Sequence, residues 1–134
     1  MSHRIAEILR RSRTIAVVGL SPKPERASYK VSQYMQSQGY RIIPVYPRED
    51  TILGEKVYRS LEEIPDPVDI VDVFRQADDT PPVAEAAVRI GAKCLWLQLG
   101  IANEVSQALA EAGGLDYVEN RCIKIEHELR LGGQ

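Results

Sequence analysis

Residues 15–38 read IAVVGLSPKPERASYKVSQYMQSQ, and the fold turns on how this stretch is read. Ile15 to Leu20 is an unbroken apolar run, the pattern of a strand buried on both faces. From Ser28 to Gln38 the side chains of Val31, Tyr34 and Met35 recur at helical spacing, with Ser28 expected as N-cap and Gly39 as the stop. A buried strand that passes through a glycine turn into a helix is the opening of a βαβ unit.

The flanking sequence repeats that alternation. Before it, Ile5, Ile8 and Leu9 place a helix at His3 to Ser12. After it, Arg41 to Pro47 (RIIPVYP) reads as a second strand, and Pro44 assigns it to an edge or an irregularity. Arg48 to Pro65 shows only one short helical turn, near Leu61 to Ile64. Val68 to Phe74 (VDIVDVF) is a third strand, with Asp69 and Asp72 out of phase, so at least one carboxylate is expected at a strand end or a solvated face. Pro81 and Pro82 open a helix that ends at Gly91. Lys93 to Leu99 (KCLWLQL) is a fourth strand, followed by a helix from Asn103 to Ala112. Leu115 to Val118 makes a fifth strand, and Ile123 to Leu131 a last helix. Five such strands predict a single α/β domain spanning residues 1–134. Its sheet is mainly parallel and doubly wound, with helices on both faces, Rossmann-like first and flavodoxin-like in order second.

Composition agrees with one globular domain. The chain has 134 residues, 44% hydrophobic and 27% charged, with no apolar run of the roughly 20 residues that cross a bilayer. MSHRIAEILRRSR lacks the apolar centre of a signal peptide, and two cysteines are too few for a disulfide framework. The expected compartment is the cytoplasm. Net charge is −2, which argues against nucleic acid as a partner. Residues 1–30 nevertheless carry seven basic side chains against two acidic ones, a balance of +5, so the remainder carries −7. That asymmetry suits a local anion site near the N-terminus or a solvated basic helix face.

In a doubly wound sheet, ligands bind beyond the carboxyl ends of the strands. The first loop there holds Gly19, Ser21, Lys23 and Arg26, leading into a helix whose N-terminus can hold phosphate. The dinucleotide fingerprint GxGxxG is absent, and Pro22 and Pro24 lack N–H donors. The second loop reads Tyr46-Pro47-Arg48. A ribose with a free 2′-hydroxyl calls for an acid at this place, whereas Arg48 suits an extra phosphate, as in NADP or in coenzyme A with its 3′-phosphate. The third loop offers Phe74 as an apolar wall and Arg75 as a charge at the sheet's edge. The fourth offers Gln98-Leu99-Gly100, where glycine permits close backbone approach. No catalytic constellation and no metal-ligand spacing converges on these loops. His3, His127 and Cys94 read as structural or solvated. Cys122, beside Arg121 near the binding edge, is either inert or a thiol able to exchange with a thiol ligand.

The stretches VVGLSPKPERASYKV, GYRIIPVYP, LGEKVYRSLEEIPDPVDIVDVFR, GAKCLWLQLGI and NRC resemble the small bacterial CoA-binding proteins, which look like a free-standing N-terminal domain of the succinyl-CoA synthetase alpha subunit. The resemblance runs from about Ile15 to Cys122. It implies coenzyme A or an acyl-CoA as ligand, with Gly19, Ser21, Lys23 and Arg26 facing the phosphates. It also implies Tyr46, Pro47 and Arg48 around the adenosine and 3′-phosphate, and Phe74 and Arg75 along the ligand. Gln98-Leu99-Gly100 stands where the synthetase has Thr-Glu-Gly. The first loop is poorer in glycine than the synthetase's, and the acidic residue is missing. The synthetase's phosphorylated histidine has no counterpart in His3 or His127. The expectation is therefore a non-catalytic carrier, sensor or partner module for an acyl-CoA enzyme. The alternatives are an NADP-dependent oxidoreductase, a CoA half-site completed by a partner chain, or a scaffold with a vestigial site.

Overall fold

The computed structural model describes residues 2–132, without the side chains of Ser2 and His3. Five parallel strands form the sheet: β1 (Thr14–Val18), β2 (Arg41–Val45), β5 (Ile70–Val73), β6 (Cys94–Leu97) and β7 (Asp116–Val118). Their order is β2-β1-β5-β6-β7. Counting the sheet strands alone, this is 2-1-3-4-5, so within the expected doubly wound, Rossmann-like class the order is the flavodoxin-like one. The first crossover adds β2 on one side of β1 and the later strands are added on the other, so the junction between β1 and β5 is the switch point.

The strands alternate their side chains between two cores. Ile15, Val17, Ile42, Ile70, Cys94 and Trp96 face one side, under α1 (Ser2–Arg11), α2 (Ala27–Ser37) and α5 (Ile123–Arg130). Ala16, Val18, Ile43, Val71, Val73, Leu95 and Leu97 face the other, under α3 (Thr80–Arg89) and α4 (Glu104–Ala112). The interior strands are buried throughout apart from Thr14 at the start of β1, which is why β1 reads as a continuous apolar run from Ile15.

Pro44 does lie in the edge strand. The carbonyl of Pro44 accepts from Tyr58 N and Tyr46 N donates to Tyr58 O, both at 3.0 Å, so the missing proline donor is on the outer side of the sheet. Between these segments the sequence shows no strand, yet β3 (Thr51–Ile52) and β4 (Glu55–Lys56) form a small antiparallel hairpin. Its turn, Leu53-Gly54, has both residues at positive φ, the primed geometry that ordinarily selects Asn-Gly. Leu53 is held there by packing on the core and by Gln36, whose amide donates to its carbonyl at 3.1 Å.

Asp69 meets expectation at a strand end, accepting from the backbone N–H groups of Arg13 and Thr14 at 2.7 and 3.0 Å. Asp72 is instead buried at 1% exposure inside β5, between Val17 and Trp96. His127 is also structural. It is buried in α5, its Nδ1 2.9 Å from Tyr34 Oη, with the Tyr40 ring edge-on against it. Burial lowers its pKa and the nearby Glu128 partly offsets that. An imidazole harder to protonate in the fold than in the unfolded chain gives up stability as pH falls below its ordinary value of about 6.5. Wild type and His127→Gln are expected to denature in parallel above pH 7 and to diverge below it, the wild type losing more. Parallel curves down to pH 4.5 would show that His127 titrates in the fold as it does in the unfolded chain. The His3 side chain lies outside the described residues.

Candidate functional site

Strand register builds the site. Val18 pairs with Val45 on one side and Val73 on the other, so the next residues, Gly19, Tyr46 and Phe74, emerge level with one another at the switch point. Together with Ser21, Lys23, Arg26, Ala27 and Ser28 they line an open recess of about 350 Å³. Gly19 has φ +88, and a Cβ there would lie 2.4 Å from the carbonyl oxygen of Phe74. The two loops close on each other only because residue 19 has no side chain.

The first loop is ordered by its own serines. Ser28 is not the N-cap; Arg26 is, and the Ser28 hydroxyl accepts from Ser21 N at 3.0 Å across the loop. Ser21 Oγ in turn accepts from Lys23 N at 3.1 Å. This leaves α2 with no side-chain cap and no acidic residue in its first turn, while Lys23 and Arg26 stand at its positive end. Helix α4 shows the ordinary solution, with Asn103 capping Ser106 N at 2.9 Å. Cations at an uncapped N-terminus oppose the helix dipole, and an anion seated there would satisfy both.

Other predicted residues fall around this recess rather than in it. Pro47 and Arg48 are exposed in the adjoining loop. Arg75 lies across the sheet edge on the α3 side, in a smaller recess with Arg59 and Pro82. The reason is parity: Phe74 follows the face of Asp72, and Arg75 that of Val73.

Gln98, Leu99 and Gly100 separate into three environments. Gln98 is buried at 3% exposure and donates its amide to Asp72. Leu99 is 65% exposed at the carboxyl edge. Gly100 N donates to Asn120 Oδ1 at 2.7 Å, so this backbone donor is already engaged. Asn120, at φ +56, and Asp72 therefore anchor the loop from two sides; in the sequence Asp72 is notable only as a carboxylate out of phase in its strand, and Asn120 not at all. Desolvation raises the pKa of Asp72 to about 7, with Gln98 pulling the other way.

The thiols differ sharply. Cys94 is sealed in β6 and burial pushes its thiol well above the ordinary range. Cys122 is half-buried at the start of α5, packed against the apolar cluster that includes Phe74. Trp96 packs in the core and its indole N–H donates to Arg121 O at 2.9 Å, which holds that end of the edge in place.

The chain thus has a Rossmann-like sheet with an open recess at its switch point, and the family comparison narrows this class. The family model described as "CoA binding domain" matches residues 13–128, and the chain belongs to that family. Among its relatives, the uncharacterized protein YneT of Bacillus subtilis is 46% identical over 123 residues, covering 92% of this chain and 91% of that protein. A hypothetical protein from Pyrococcus horikoshii shares the fold with a TM-score of 0.95 at 41% identity, covering 98% of this chain and 93% of that one. An ADP-forming acetate–CoA ligase of Archaeoglobus fulgidus is 29% identical over 127 residues, which amount to 90% of this chain but only 18% of the ligase.

Proposed function

We propose that this protein binds coenzyme A or an acyl-CoA at the carboxyl edge of its sheet and acts as a carrier, sensor or partner module without bond-making chemistry of its own. The observation that carries the reading is the uncapped α2 N-terminus with Lys23 and Arg26 beside it, in a chain of the CoA binding domain family. The diphosphate lies on that helix end, the adenosine against Tyr46, and the 3′-phosphate by Arg48. Phe74 supplies an apolar wall for the pantetheine arm. The non-catalytic reading is supported by the fate of the reactive side chains, since His127 and Cys94 are committed to the core.

Calorimetric titration of ligand-free protein with CoA, dephospho-CoA and NADPH tests the proposal. Arg48→Ala is expected to weaken CoA about tenfold, roughly 1.4 kcal/mol, and to leave dephospho-CoA nearly unchanged. Lys23→Ala with Arg26→Ala should weaken both, and high salt should do the same. Binding of NADPH in preference to CoA would replace the proposal with the oxidoreductase reading, and no CoA heat at millimolar ligand would end it.

A further inference from the structure

We infer that Arg59 is a positioning residue that sets the site's selectivity for a ligand bearing a phosphate on its ribose. The inference rests on the proposed reading of the Tyr46–Arg48 loop. Arg59 lies behind that loop, on the α3 side of the sheet edge, outside the recess that Tyr46 lines. Its Nη1 donates to three carbonyls of one short segment, those of Tyr46, Arg48 and Glu49, at 3.2, 3.0 and 2.9 Å. Three carbonyl oxygens converging on one point repel one another unless a cation sits among them. With the guanidinium in place, Glu49 is held at φ +69, a conformation few non-glycine residues adopt.

Arg59 is itself anchored. The preceding residue, Tyr58, is hydrogen-bonded to both Pro44 and Tyr46, and the backbone N–H of Arg59 donates to Glu63 Oε1 at 2.9 Å. The guanidinium is thus rooted in the sheet and reaches back over an exposed loop. Because the peptides here are trans, carbonyls turned toward Arg59 send the N–H groups of Glu49 and Asp50 the other way. The loop consequently presents its N–H side away from Arg59, at the exposed segment that carries Arg48. All three bonds come from the one nitrogen, so the ammonium of a lysine can replace part of the charge but not the reach of the guanidinium.

The experiment compares wild type, Arg59→Gln and Arg59→Lys by titration with CoA and with dephospho-CoA, alongside hydrogen exchange of the Val57 amide. Arg59→Gln is expected to reduce the ratio of CoA to dephospho-CoA affinity about fivefold or more, to speed exchange at Val57, whose N–H donates to the Asp50 carbonyl at 2.9 Å, and to leave the melting temperature within a few degrees. Arg59→Lys should recover part of the ratio. A loss common to both ligands would mark a structural role only and overturn the inference, as would an unchanged ratio. Wild type that binds CoA with Arg59→Gln selectivity intact overturns this inference alone. Wild type that binds neither ligand removes the proposed function and this inference with it.

Discussion

Gly19→Ala is expected to destabilise the protein by about 3 kcal/mol or more and to abolish measurable ligand binding. Two costs add at this position. Alanine at φ +88 is strained on its own, and its Cβ would stand 2.4 Å from the carbonyl oxygen of Phe74, which is backbone and cannot swing aside. Relief requires parting the ends of β1 and β5, and these ends form the floor of the recess. Gly39→Ala is the control. It has φ +97 but nothing within 4 Å of the added Cβ, so only the conformational cost of about 1 kcal/mol applies. Urea denaturation of both variants, with CoA titration of whatever folds, separates the two contributions. Equal losses in the two would show that the approach of Phe74 is not what requires a glycine.

Asp72→Asn is expected to stabilise the protein at neutral and alkaline pH. The folded carboxyl holds its proton up to about pH 7, against an ordinary 3.8, because it is sealed between Val17 and Trp96 with the Gln98 amide as its one partner among the described residues. Cys94, on the neighbouring strand, is the other titratable group close to it, and its own thiol is pushed upward. The folded state therefore binds more protons than the unfolded chain across that interval, so stability falls as pH rises from about 4 to about 7 and is then level. A separation of about three pH units corresponds to about 4 kcal/mol. Asparagine retains an acceptor for the Gln98 amide and carries no charge. Its stability relative to wild type should be unchanged near pH 4 and greater by a few kcal/mol at pH 8. A variant less stable than wild type at pH 8 would mean that the ionised carboxylate has a partner worth more than its burial costs.

The strands and helices were legible because their burial patterns are local. Ile15 to Val18 is apolar throughout since helices cover both faces, and Ile5, Ile8 and Leu9 face the core at helical spacing. Pro44 announced an edge strand because a proline lacks the donor that an inner strand needs. The β3–β4 hairpin escaped notice because its turn is Leu53-Gly54, held by Gln36 and the core rather than by the usual turn residues. Ser28 carried the composition of an N-cap, but its hydroxyl is spent on Ser21 N, a choice that depends on how the loop folds back.

The site divides in the same way. Gly19, Tyr46 and Phe74 follow directly from the rule that ligands gather at strand carboxyl ends, and register brings them level. Arg75 leaves them because one residue of parity carries it across the sheet. Arg59 and Asn120 could not be found along the chain, since each acts on carbonyls or amides that are 13 and 20 residues away at the farthest.

By itself the sequence determined the alternation of strand and helix, the doubly wound class, the family and the loops that border the ligand edge. All of these depend on periodicities and residue types that a short window contains. Only the tertiary structure decided which side chains reach the recess, which are spent on holding loops, and that Asp72 is buried with no counter-charge among the described residues. Those outcomes depend on strand order, register and parity, and so on distances between residues far apart in the chain.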